Sequence, residues 1–176
     1  MGQYYKAIIL GKRNGIKTSF VSYYYNLNGA KLQEHSYIGN AFCNAVENYL
    51  LNNPCRLVWA GDYADNEKGK EDNLYYLSKK KATNTKSSQA DLSKDLFVIN
   101  HTKKVYYQRG KIPAFADNWT ANPLSILTCE GNGRGNGDYM GKPGSEYVGT
   151  WARDEIEVSA TRPKDYEEKV YFFKYW

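Results

Sequence analysis

Residues 129–154 gather the side chains whose types and spacing could do chemistry. The run Cys129-Glu130-Gly131-Asn132-Gly133-Arg134-Gly135-Asn136-Gly137-Asp138-Tyr139 puts a glycine at every second place from Gly131 to Gly137. Removing alternate side chains lets backbone N–H groups approach a ligand and leaves Asn132, Arg134 and Asn136 as the reaching groups. Arg134 has the fork that suits a phosphate, and Asn132 or Asn136 the paired donor and acceptor that reads a base edge. Known nucleotide motifs do not fit the spacing. A dinucleotide fingerprint needs GxGxxG between a strand and a helix, and a Walker A loop is excluded because Gly137 to Lys142 is one residue short and Pro143 follows. The same run also fits a glycine-rich surface hairpin with no ligand, although a mere linker does not need the interleaved polar residues.

Aromatic rings with polar neighbours recur at the ends of expected elements. They occur in His35-Ser36-Tyr37-Ile38-Gly39-Asn40, Trp59-Ala60-Gly61-Asp62-Tyr63, Asp138-Tyr139 and Trp151-Ala152-Arg153-Asp154. Converging strand ends would let Tyr37, Trp59, Tyr63, Tyr139 and Trp151 sandwich a base while Arg134 and Arg153 hold phosphates. His35, Asn40, Asp62 and Asp138 complete the polar set. The alternative for Trp59 and Trp151 is a core position inside an apolar strand.

Catalytic constellations are incomplete. His35 and His101 share no metal-ligand spacing, and neither is followed two places on by Ser or Thr. Asp62 with Asp65, or Asp138 with Asp154, has the chemistry to hold Mg²⁺, but Asp among glycines usually serves the turn itself. Cys43, Cys55 and Cys129 are odd in number and widely spaced, which fits buried thiols in a reducing compartment and neither a disulfide scaffold nor a CxxC site. No cofactor is expected.

The chain that must position these groups has 176 residues, the size of one domain spanning 1–176. Hydrophobic residues at 41% and charged residues at 24% permit an ordinary core. The unusual term is tyrosine, 17 residues, a side chain suited to strands and half-wet ligand surfaces. The formal charge of +5 favours anionic partners, but the cations are scattered apart from Lys79, Lys80 and Lys81, so no stripe for a long nucleic acid is expected. Ala7 to Leu10 is the only apolar run near the N-terminus, too short for a signal or a membrane span, which predicts a cytoplasmic protein.

Periodicity predicts an α+β fold, a mainly antiparallel sheet of six to eight strands with one principal helix packed on one face. Tyr4 to Leu10 and Thr18 to Tyr25 read as a hairpin across Gly11-Lys12-Arg13-Asn14-Gly15. Ile38, Phe42, Ala45, Val46, Tyr49 and Leu50 recur at helical spacing before Asn52-Asn53-Pro54. Arg56 to Ala60, then Asp95 to Ile99 with Lys104 to Tyr107, read as strands. So do Tyr147 to Ala152, Glu155 to Val158 and Val170 to Phe173. Leu124 to Leu127 fits a short helix or a strand. Residues 65–94 turn polar, with Leu74, Tyr75, Tyr76 and Leu77 as their apolar cluster, and read as a surface excursion with one helical turn or a short helix.

Several of these segments together carry a resemblance. Gly2-Gln3-Tyr4-Tyr5-Lys6, His35 to Asn40, Val58-Trp59-Ala60-Gly61-Asp62-Tyr63-Ala64, Val98 to Lys104, Asn122-Pro123-Leu124, Glu130 to Tyr139 and Trp151-Ala152-Arg153-Asp154 resemble a widespread family of small phage and prophage proteins. The resemblance runs over nearly the whole chain and implies a protein of the host cytoplasm. Its small size and ligand-shaped loop are similar to those of phage sponges that sequester nucleotide immune signals. No catalytic residue comes with it.

The expectation is therefore a non-enzymatic binder of a small, cyclic nucleotide, acting by sequestration, with Gly133 and Gly135 shaping the loop and a homo-oligomer as a possible form. Two alternatives stand beside it. One is a metal-dependent phosphodiesterase or nucleotide hydrolase using Asp62, Asp138 or Asp154 with His35 or His101 as base. The other is a protein-binding inhibitor of a host enzyme with a tyrosine-rich surface.

Overall fold

The computed structural model describes residues 3–22, 28–85, 92–114, 119–131 and 139–174. They form a mixed α/β fold with a largely antiparallel sheet and several helices. The strands are β1 (Tyr4–Leu10), β2 (Ile16–Ser22), β3 (Ala30–Lys31), β4 (Cys55–Gly61), β5 (Ala82–Thr85), β6 (Phe97–Asn100), β7 (Val105–Gln108), β8 (Cys129–Glu130), β9 (Glu155–Ser159) and β10 (Glu167–Glu168). The helices are α1 (Leu32–His35), α2 (Ala41–Leu50), α3 (Leu74–Leu77) and α4 (Pro123–Leu127). The sheet runs β10-β7-β6-β9-β4-β1-β2-β5, with β3 on β1 and β8 on β4 as branches. β5, β8 and β10 pair in parallel, and the other pairings are antiparallel.

β1 and β4 are the centre, paired through Ala7↔Trp59, Ile8↔Val58 and Ile9↔Leu57. Side chains alternate across a strand, so this register sorts the pair into two faces. Tyr5, Ala7, Ile9, Leu57 and Trp59 join the main core with Phe20, Phe42 and Val46. Ile8, Leu10, Val58 and Ala60 form a second, smaller core with Leu74. A pair covered on both sides needs a nearly continuous apolar run, which Ala7-Ile8-Ile9-Leu10 and Leu57-Val58-Trp59-Ala60 supply.

α2 covers the first face. Asn40 caps it, its side-chain oxygen accepting from Phe42 N at 2.9 Å and Cys43 N at 3.3 Å, and Phe42 meets Trp59 edge to face at 5.3 Å. Ile38 precedes the helix. The flank of α2 that faces the end of β7 is buried too. There Glu47 pairs with Arg109, both side chains fully buried, through Nη2 to Oε2 at 3.2 Å. Arg109 Nη1 also donates to the carbonyls of Leu92 and Ser93, so one guanidinium ties the helix, the end of β7 and the approach to β6 together.

The second face is covered by the polar excursion. Its apolar cluster forms a short helix, α3, that packs inward: Leu74 and Tyr75 are buried, and Ala82–Thr85 extends the sheet as an edge strand beside β2. The apolar face of β1 and β4 needs a cover, and Leu74 supplies it. Tyr147 to Ala152 is not a strand but a series of turns begun by a 3-10 segment at Ser145–Tyr147. Gly149, at φ 73°, turns the chain there, and the N–H groups of Gly149 and Trp151 donate to Ile126 O and Leu127 O. The backbone thus crosses the end of α4 instead of joining a ladder. Val170 to Phe173 forms no strand either; it keeps the period of two, Tyr171 and Phe173 buried and Val170 and Phe172 exposed, as an extended segment packed on Trp151 and Tyr139. Residues 123–127 take the helical alternative, since the Asn122 side chain accepts from Leu124 N at 3.0 Å and Pro123 suits a first turn. No helix among the described residues is long and apolar enough to cross a membrane.

Breaking a buried ion pair from one side leaves an unpaired charge in the interior. Glu47→Ala is expected to cost about 3 to 5 kcal/mol in urea unfolding. The double variant Glu47→Leu with Arg109→Met is expected to recover much of that loss; a double variant as unstable as the single one would show that the pair is not the source.

Candidate functional site

The end of β1 and the polar excursion enclose an open cavity of about 530 Å³ lined by Tyr4, Lys6, Val21, Asn28, Asp62, Tyr75, Tyr76, Lys79 and Ala82. Its walls are set by local capping. Asn73 caps α3, accepting from Tyr76 N, while its amide nitrogen donates to Asp62 O at 3.1 Å and Ala64 O at 2.9 Å. That side chain holds α3 against the end of β4. Asp62 in turn accepts from Tyr4 N at 3.1 Å. Gly29 closes the neighbouring wall so tightly that a Cβ would lie 1.6 Å from Tyr5 O, a place only glycine can occupy.

Lys6 is the unusual group. It lies on the face of β1 covered by α3, 4% exposed. Its Nζ donates to Tyr75 O at 3.1 Å and sits 3.8 Å from the centre of the Tyr75 ring. Burial, and next the charge of Lys79, bring the amine down from 10.5 to about 8, against the pull of Asp62. Burial likewise raises the Asp62 carboxyl and pushes the Tyr75 hydroxyl up to about 12. Among the described residues the cavity therefore offers two lysines, one with a lowered pKa, beside three tyrosine rings and one carboxylate.

A second cavity of about 430 Å³ is lined by Asp65, Glu67, Lys68, Glu130, Gly131 and Arg153, among others. Arg153, in the left-handed region at φ 67°, forks onto Glu130 at 2.6 and 2.7 Å and onto Glu67 at 2.5 and 3.2 Å. Hydrogen bonding to Glu130 raises its pKa, so it stays charged, but two carboxylates already neutralise it. Its guanidinium is thus already engaged by carboxylates in this structure.

The expected rings do not converge. Trp59 packs beneath α2, and Trp151 lies in the core between Tyr107 and Tyr171. Tyr139 is buried edge to face on Phe173. Tyr37 is half-buried on Trp119 at 4.3 Å, and Tyr63 stands 50% exposed. Asn40 is the buried cap of α2, and His35 Nδ1 accepts from Lys31 N at 3.0 Å, its pKa lowered by burial. Of the expected residues that are described, Asp62 alone lines the Lys6 cavity. Asn132, Gly133, Arg134, Gly135, Asn136 and Asp138 lie outside the described residues.

The expected acids and bases that are described have separate partners. His101 bonds Glu157 at 2.8 Å and Tyr166 at 3.0 Å, Asp154 accepts from Asn100 at 2.8 Å, and Asp62 accepts from Tyr4 N. Among the described residues no three His, Cys, Asp or Glu side chains gather as metal ligands. Cys43, Cys55 and Cys129 are buried and form no disulfide, and burial raises the Cys43 thiol. Sequence reasoning passed over Lys6, Tyr75, Tyr76 and Lys79. The available signal was a lysine inside the apolar run of β1, which reads as a solvent-facing position unless a second cover is foreseen. Comparison with protein-family models, with curated proteins and with solved structures gives no match.

The displaced pKa fixes a pH dependence. Between about pH 8 and pH 10.5 the unfolded chain keeps a proton on Lys6 that the folded chain has released, so stability attributable to Lys6 rises with pH. Unfolding of the wild type and of Lys6→Met at about pH 7 and pH 9.5 is expected to show the wild type gaining relative to the variant. A constant difference would contradict a depressed Lys6.

Proposed function

We propose that this chain is a non-enzymatic binder of a small phosphate-bearing nucleotide, of the cyclic class, held in the Lys6 cavity. The observation that carries the reading is the meeting of Lys6 and Lys79 with Tyr4, Tyr75 and Tyr76 in one cavity of about 530 Å³, within the usual range for small-ligand sites. Lys79, exposed, and Lys6, buried, supply an anion seat of two depths. Tyr76, 43% exposed, presents a ring on which a base can stack, worth roughly 1 to 3 kcal/mol per base. Asp62 provides an acceptor for an amino or hydroxyl group of the ligand.

The wider setting extends the proposal. A formal charge of +5 favours anionic ligands. The phage-family resemblance supplies a role, holding a nucleotide immune signal away from its effector in the host cytoplasm, which needs affinity and excess but no turnover. A homo-oligomer would close the open side of the cavity. In this reading α2 is the principal helix of an α+β scaffold, backing the sheet on the face opposite the site. The hydrolase alternative draws less support, because among the described residues Asp62 is the one carboxylate that lines the cavity.

A nucleotide panel tests the reading. A true ligand at about a hundred times its Kd is expected to add about 2.7 kcal/mol and raise the melting temperature by roughly 5 to 10 °C. Lys79→Gln and Tyr76→Ala should each remove most of that shift without lowering the ligand-free melting temperature. No shift with any cyclic, linear or ADP-ribose-type nucleotide would refute it.

A further inference from the structure

Lys6 is more deeply buried than phosphate binding requires. A lysine that only holds a phosphate works as a hydrated point charge on a flexible stem. Lys6 is instead fixed, its Nζ on the carbonyl of Tyr75 and over the Tyr75 ring. Among the described residues no carboxylate forms a salt bridge with it. Ser78 Oγ donates to the same Tyr75 carbonyl at 2.9 Å, which steadies the acceptor. The amine thus has one neutral acceptor, one ring, and the open cavity on its remaining side.

We propose that Lys6 captures a carbonyl, forming an imine with an aldehyde or ketone whose phosphate is seated by Lys79. The inference rests on the Lys6 cavity being the ligand site. It names a ligand chemistry that stacking and charge alone would not select.

The step balances without any redox partner. The Lys6 lone pair attacks the carbonyl carbon, the C–N bond forms, and the carbonyl oxygen becomes the hydroxyl of a carbinolamine. That hydroxyl then leaves as water as the C=N bond forms, and the water carries both protons of the neutral amine. Asp62 lines the same cavity and is the group placed to pass a proton to the leaving hydroxyl. The ring of Tyr75 favours the charged amine, but burial prevails and leaves a usable fraction of neutral amine near pH 8. Desolvation beside a second cation is a recognised way to activate a lysine toward carbonyls.

Pyridoxal 5′-phosphate, an aromatic aldehyde with a phosphate, is the probe. The wild-type chain is treated with one equivalent near pH 8, reduced with sodium borohydride, and mapped by peptide mass. The adduct is expected on Lys6, in about tenfold excess over Lys79, Lys80 and Lys81. Pyridoxal without the phosphate, and the probe on Lys79→Gln, should each label Lys6 about tenfold more slowly, the loss of one charge-assisted contact. Labelling spread evenly over the exposed lysines, or an unlabelled Lys6, would overturn the proposal. Because the first arm uses the wild type, it does not depend on a variant that folds. An unlabelled Lys6 with intact nucleotide stabilisation would sink the imine and leave the binder reading standing. Selective labelling with no nucleotide stabilisation would do the reverse.

Discussion

Burying a β-strand on both faces leaves its polar residues nowhere to reach water. β1 and β4 are in that position, with α2 and the main core on one side and Leu74 on the other. Lys6, Ile8 and Leu10 of β1 lie on the side of the smaller core. Ile8 and Leu10 suit it, but Lys6 falls where the cover ends. A lysine so placed must find a partner or an opening, and it has both: the Tyr75 carbonyl and the cavity. The register Ile8↔Val58 thus fixes the site as well as the core, because a one-residue slip would turn Lys6 into the larger core.

The opposite side of the sheet meets the same constraint in another way. α2 is buried around most of its circumference, so Glu47 also has no path to solvent, and Arg109 reaches it from the end of β7. Arg109 spends its remaining donors on Leu92 and Ser93 carbonyls. The satisfied pair specifies where the chain returns after the excursion, whereas Lys6, which has no ion-pair partner among the described residues, faces the cavity. One buried charge serves placement and the other faces a cavity.

Much of this fold was legible in the sequence. The apolar alternation of β1, the Phe42-Val46-Leu50 spacing of α2 and the Asn100-to-Lys103 turn each have a local physical cause that shows in residue order. The short strands β3, β8 and β10 have no such signal, since two residues carry no periodicity and exist only through their partners. The candidate site was legible in less measure. Trp59, Tyr139 and Trp151 stand in segments that also carry Asp, Gly or Arg and so read as ligand-stacking rings, with the core as the alternative for the two tryptophans, and all three rings are buried in the core. Lys6 and Tyr75 are 69 residues apart, and only the folding of a polar excursion onto the sheet brings them together. Arg153 looked free because Glu67, which binds it, lies 86 residues away.

The central claim is that the Lys6 cavity is where this chain holds a small anionic ligand. Its most direct test is to release by heat whatever freshly purified protein carries, identify it by mass, and repeat this with Lys79→Gln. The account predicts a phosphate-bearing small molecule from the wild type and its loss or sharp depletion from the variant. A ligand retained equally by both proteins would place the binding site elsewhere and contradict the account.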